Sequence, residues 1–236
     1  MADGVMSTNI VGYVTTTATK ATFSAIGVQF VPPADCSQPT VRIVDLVTIT
    51  NPRAAANISV LSDQIHVWTG AAWKKYFNKT GVGYVWADAE DKTVPTTDTV
   101  SVGDGVFFRR GNAANGELTI AGGLYEGDTV TYNLPKAAFT FIANPWPMQM
   151  DVAELGALIT TPKAAANISV LSDQIHVWTG SAWKKYFNKS NVGYVWADAE
   201  DKTAPTTDTI PAGACVFIRK GNAAAGTVTF TKPAGL

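Results

Sequence analysis

The chain predicts an all-β fold made of two tandem, duplicated β-sandwich or barrel-like modules. Three observations carry this. The stretch Ala54–Thr99 returns at Ala164–Thr209, and only four of its 46 positions change: Ala71/Ser181, Thr80/Ser190, Gly81/Asn191 and Val94/Ala204. Short runs rich in β-branched and aromatic residues alternate with Gly, Pro and Asn clusters along both copies, the pattern of strands joined by turns. One segment alone reads as a helix, Asp151–Ile159, with Asp151 placed to act as its N-cap. The expected division is residues 1–124 for the first module and 125–236 for the second.

Each module opens on an uncharged or weakly charged strand, Val5–Thr19 in the first and Tyr125–Leu134 in the second. Lys20-Ala21-Thr22-Phe23 against Lys136-Ala137-Ala138-Phe139 sets the register between them. The next strands, Phe23–Val31 and Phe139–Trp146, run into prolines, which remove a ladder donor and so end a strand or put it at an edge. In the near-identical block, Gln64–Trp68 alternates, with Ile65 and Val67 facing one way and His66 and Trp68 the other. Thr69-Gly70-Ala71-Ala72 turns the chain into Trp73–Phe77, giving a hairpin. Gly83–Trp86 is the next strand, and the polar, acidic Ala87–Asp98 reads as a loop. Val106–Arg109, with Val106 and Phe108 on one face, and Glu117–Ile120 complete the module.

Composition narrows the function classes. The 236 residues are 46% hydrophobic and 16% charged, with a net charge of −1, so this is a folded protein without a basic field for nucleic acid. No apolar run approaches the 18 or more residues of a membrane span. The first residues show no signal-peptide pattern, and the Thr-, Ala- and Gly-rich composition suits an extracellular or cell-surface protein whose signal peptide has been removed. Cys36 and Cys215 each stand in one module only, either as two buried thiols or as a disulfide within or between molecules.

The pattern Asp63-Gln64-Ile65-x-x-Trp68, Gly70, Trp73, Tyr76, Trp86 and Gly103-x-Gly105-x-Phe107-Phe108-Arg109-Arg110, with Val11-Gly12-Tyr13-Val14 and Ile142-Ala143-Asn144-Pro145, resembles a family of uncharacterised secreted β-rich repeat proteins of verrucomicrobial-type bacteria. The resemblance implies export and a β fold, and it brings no catalytic residues with it. Cys215 departs from it at the position of Gly105.

The motifs of enzyme chemistry are missing. His66 and His176 are one position seen twice, and no nucleophile elbow, HExxH or P-loop accompanies them. No enzyme activity is therefore expected. The acidic residues Asp88, Glu90 and Asp91, repeated as Asp198, Glu200 and Asp201, are candidate Ca²⁺ ligands through their oxygens, though without EF-hand spacing; no other metal or cofactor is expected. Six of the seven tryptophans fall in the repeated block.

Two functions follow. The first is a structural subunit that polymerises head-to-tail. The modules would form a rod with a repeating translation, and the uncharged segment with Val5, Met6, Ile10, Val11, Tyr13 and Val14 would add as a strand to the open edge of a like neighbour. The alternative is a bivalent carbohydrate-binding or adhesive protein in which Trp68 and His66, and their copies Trp178 and His176, stack on glycans.

Overall fold

A computed structural model describes residues 11–34, 36–81, 86–90, 94–190, 196–200 and 204–236. The first half runs β1 (Val11–Ala18), β2 (Phe23–Gly27), β3 (Thr40–Arg42), β4 (Thr48–Ile49), β5 (Gln64–Trp68), β6 (Trp73–Asn78), β7 (Trp86–Asp88), β8 (Thr99–Ser101), β9 (Gly105–Arg109) and β10 (Gly116–Gly123). The second half runs β11 (Thr129–Leu134), β12 (Phe139–Ala143), β13 (Met150–Asp151), α1 (Val152–Ala157), β14 (Gln174–Trp178), β15 (Trp183–Asn188), β16 (Trp196–Asp198), β17 (Thr209–Ile210), β18 (Cys215–Arg219) and β19 (Gly226–Thr231).

Both halves share the same main sheets in the same order, but β4 has no strand counterpart in the second half and α1 has no α-helical counterpart in the first. A five-stranded antiparallel sheet is ordered β2-β9-β5-β6-β7 in one and β12-β18-β14-β15-β16 in the other. It faces a second sheet, β1-β10-β4 or β11-β19, and a two-stranded ribbon, β3-β8 or β13-β17. Side-chain alternation along the strands makes the core. Ile26, Ile65, Tyr76, Val106 and Phe108 turn inward to meet Leu118 and Ile120 of β10. Ile142, Ile175, Tyr186, Val216 and Ile218 meet Val228 and Phe230 in the same way. Trp86 and Trp196, each 1% exposed, also belong to these cores.

A buried ion pair locks the end of each large sheet. Asp63 accepts hydrogen bonds from the backbone amides of Arg53 (2.7 Å) and Gly111 (2.9 Å) and from Arg110 Nη1 (2.8 Å). Asp173 does the same for Lys163, Gly221 and Lys220 Nζ, at 2.8 Å each. All four charged side chains are fully buried. The Arg110 guanidinium also reaches the carbonyls of Ala114 and Asn51, at 2.9 Å each, whereas Lys220 reaches one carbonyl, Thr161 O, at 2.7 Å. A charge left alone in such a place costs about 3–5 kcal/mol, so the pair is kept whole in both halves even where Arg becomes Lys.

Two premises of the head-to-tail rod are corrected here. β1 is already paired, antiparallel to β10 of its own half, from Val11↔Gly123 through Tyr13↔Ala121 and Val14↔Ile120 to Ala18↔Gly116. Val14 packs against the first core. β11 closes on β19 in the same way, so the last strand of the second half has its partner. Local pattern revealed a strand but not this return across about a hundred residues. Val5, Met6 and Ile10 lie outside the described residues.

The second correction concerns symmetry. Gly27 N–H donates to Gly213 O (2.8 Å), and its counterpart Ala143 N–H donates to Gly103 O (2.7 Å). Trp68 meets Phe217 edge-on at 5.7 Å, and Phe107 meets Trp178 edge-on at 5.6 Å. Reciprocal contacts of this kind define a two-fold relation, not a translation, and an isologous interface closes on itself.

Candidate functional site

The outward faces of the two large sheets meet around this pseudo-dyad. Alternation that sends Ile65 and Phe108 into the core sends His66, Trp68 and Phe107 out, joined by Trp73 and Lys75 of β6. His176, Trp178, Trp183 and Phe217 come from the second half, and together they line a cleft of about 620 Å³. Its chemistry is mostly aromatic. Trp68 lies 5.1 Å from Trp73, and Trp178 lies 5.1 Å from Trp183. Phe23 stands edge-on to His66 at 5.2 Å, and Phe139 edge-on to His176 at 5.4 Å. Beneath the cleft, Phe141 packs on Phe217 at 4.5 Å and on Phe107 at 5.1 Å.

The predicted ligand residues Trp68, His66, Trp178 and His176 are therefore brought together, but in one composite site. The two copies, expected to act as separate sites, face each other across the dyad and line one cavity. The symmetry is incomplete at the indoles. Trp68 Nε1–H donates to Phe139 O at 2.9 Å, while Trp178 Nε1, buried, has no hydrogen-bond partner among the described residues.

Each histidine is held in one tautomer. Gln64 Nε2 donates to Ser59 O (2.6 Å), which turns its Oε1 toward His66 Nε2 at 2.9 Å. An amide oxygen only accepts, so Nε2 carries the proton and Nδ1 keeps the lone pair. Gln174 and Ser169 fix His176 at matching distances of 2.9 and 2.6 Å. Burial pushes both imidazoles down to about 4, with Lys75 and Arg109 adding to the shift at His66 and Lys185 and Arg219 at His176. Near neutral pH both rings lining the cleft are thus uncharged.

The described residues of the acidic loops form ion pairs with the neighbouring sheet. Lys74 bridges Asp88 (3.0 Å) and Asp98 (2.7 Å), and Tyr76 Oη donates to Asp98 at 2.8 Å. Lys184 bridges Asp198 and Asp208 at 2.9 and 2.7 Å. Glu90 and Glu200 turn their backbone amides to Asp88 and Asp198. These bridges fasten the described ends of each acidic loop to β6 or β15 of the large sheet. Asp91 and Asp201 lie outside the described residues, and no group of three or more His, Cys, Asp or Glu side chains converges among the described ones.

Cys36 and Cys215 form no disulfide. Cys36 sits in the first core, where its thiol points to Pro33 O at 3.9 Å, and Cys215 sits at the dyad with Phe107, Phe141 and Ala143. Each is at most 3% exposed, as the reading of two buried thiols has it.

The chain matches no family model, no curated protein and no solved structure. The phenylalanines flooring the cleft were missed in the sequence. A signal existed for Phe141 alone: Ala25, Gly27 and Gly105 become Phe141, Ala143 and Cys215 within otherwise similar strands.

Proposed function

We propose that this chain is a non-enzymatic carbohydrate-binding protein that receives one glycan in the aromatic cleft at its pseudo-dyad. The carrying observation is the convergence of Trp68, Trp73, Trp178 and Trp183 on one cavity of about 620 Å³, within the range of small-ligand sites. Indole faces suit the C–H face of a pyranose ring. The Nδ1 lone pairs of His66 and His176 supply acceptors for sugar hydroxyls. An extracellular or cell-surface setting goes with this reading. Tryptophan fluorescence titrated with an oligosaccharide panel tests it. A saturable change is expected with at least one glycan, and Trp68→Ala or Trp178→Ala should weaken binding at least tenfold, the equivalent of about 1.4 kcal/mol. Affinities unmoved by both substitutions would remove the cleft from consideration.

Self-assembly is the second reading, and one observation favours it. The turns Ser59–Ser62 and Ser169–Ser172 hold Val60, Leu61, Val170 and Leu171 in solvent at 55–62% exposure. Asn112 N–H and Arg109 Nη1 both donate to Val60 O, at 3.1 and 3.2 Å, so the turn is tied down. Two equal apolar knobs on one molecule can link copies into chains. Light scattering should then show mass rising with concentration, and a Leu61→Asp/Leu171→Asp variant should stay monomeric. A wild-type protein that is monomeric throughout would end this reading.

A further inference from the structure

We infer that the glycan taken by the cleft is acidic, an oligosaccharide carrying carboxylate or sulfate groups; this rests on the carbohydrate-binding reading above. Four cations border the aromatic surface, two on each side of the dyad. Lys75 is directly opposite His66 in the β5–β6 register, and Lys185 is opposite His176. Arg109 lies with its guanidinium carbon 6.0 Å from the Phe23 ring, and Arg219 lies 5.9 Å from the Phe139 ring.

These cations differ from their neighbours in what they face. Lys74, Lys184, Arg110 and Lys220 each hold a carboxylate. Among the described residues, Lys75, Arg109, Lys185 and Arg219 make no ion pair, and no Asp or Glu lines the cleft. Arg109 is nevertheless held in place, by Val60 O (3.2 Å) and Asn112 Oδ1 (3.1 Å), and Arg219 by Val170 O (3.1 Å) and Asn222 Oδ1 (3.2 Å). Both partners are neutral, so the charge is positioned without being cancelled. A guanidinium has five N–H donors, and two such bonds leave donors for a ligand anion. In a protein with net charge −1, this is a local positive field around an apolar cleft.

The arrangement fits a chain with flat sugar faces at its centre and anionic groups toward both ends. Nucleic acid also combines stacking faces with anions, but it carries a phosphate at every residue and asks for a continuous cationic track. Here four cations, two from each half, stand beside the aromatic surface without forming such a track.

The test uses the full chain and calorimetric titration with four probes of matched length. These are an oligogalacturonate, its methyl ester, a sulfated neutral oligosaccharide and a single-stranded oligonucleotide. The galacturonate should bind at least tenfold more tightly than its ester, and that advantage should shrink between about 0.05 and 0.5 M salt, as screening requires. A parallel gain for the sulfated probe would identify sulfate as an equivalent anion; binding of that probe alone would name sulfate as the group read. Arg109→Gln/Arg219→Gln should abolish the preference, and Lys20→Gln should leave it intact. Because Arg109 also ties the Val60 turn, Lys75→Gln/Lys185→Gln provides a second variant that removes charge without that bond. Equal affinity for acid and ester, unchanged in both variants, overturns the inference and leaves glycan binding standing. Binding of no saccharide overturns both, and tightest binding of the oligonucleotide replaces sugar by nucleic acid.

Discussion

Burial holds His66 and His176 at a pKa of about 4, against 6.5 for an exposed imidazole, with Lys75 and Arg109, and Lys185 and Arg219, pushing the same way. The unfolded chain therefore binds more protons than the folded one between about pH 6.5 and 4. Stability from these groups is complete above that window, falls as pH drops through it, and levels off below. Asp104 works in the opposite sense. Burial raises its carboxyl to about 6, only partly offset by the Ser101 amide, so its contribution is present at low pH and is lost as pH rises from 3.8 through 6. Two histidines outweigh one carboxyl, and the melting temperature should decline from pH 7 to pH 4. A His66→Gln/His176→Gln variant should show a flatter profile, and Asp104→Asn a steeper acid loss. Thermal melts in overlapping buffers check this; a steeper acid loss in the double histidine variant would refute it.

At the level of elements, what was legible in the sequence is what local chemistry decides. The period-2 pattern of Gln64–Trp68 gave strand β5 and the correct facing, with Ile65 in the core and His66 and Trp68 outside. Thr69–Ala72 gave the hairpin, closed at Trp68↔Trp73. Asp151 gave helix α1, with its amide donating to Glu154 Oε2 at 3.4 Å. What escaped was pairing at a distance. The uncharged β1 resembles a strand awaiting a partner because nothing in Val11–Ala18 names Gly116–Gly123 as that partner. The acidic loop likewise resembles a solvated segment until β6 turns Lys74 toward Asp88 and Asp98. The role of Trp86, a core residue, could not be separated from that of Trp68 by residue type, since both are large aromatics and only the facing of their strands differs.

For the whole molecule, the decisive feature is where the two copies stop being alike. Where backbones approach closely at a dyad, as at Gly27 against Ala143, there is room for a side chain from one half only. The chain resolves this by size. Ala25, Gly27 and Gly105 in the first half stand against Phe141, Ala143 and Cys215 in the second. A Cβ on Gly27 would come within 2.4 Å of Ala143 Cβ, and one on Gly105 within 2.8 Å of the Phe141 ring. Two first halves would leave a void at this surface and two second halves would collide, so the interface selects a first half against a second half over like against like. Phe141, 4% exposed, fills most of the space, and Phe141→Ala should cost about 3–5 kcal/mol. The loss should fall on docking more than on either core, because Phe141 belongs to the aromatic cluster between the halves. Calorimetry is therefore expected to show one cooperative transition for the native chain and two for the Phe141→Ala variant. Gly105→Leu should separate the halves in the same way, by collision instead of void. Both variants should lose glycan binding at temperatures where each half is still folded, because the cleft exists only while the halves are joined. A single unshifted transition in both variants would mean that the halves are held together by something other than this contact.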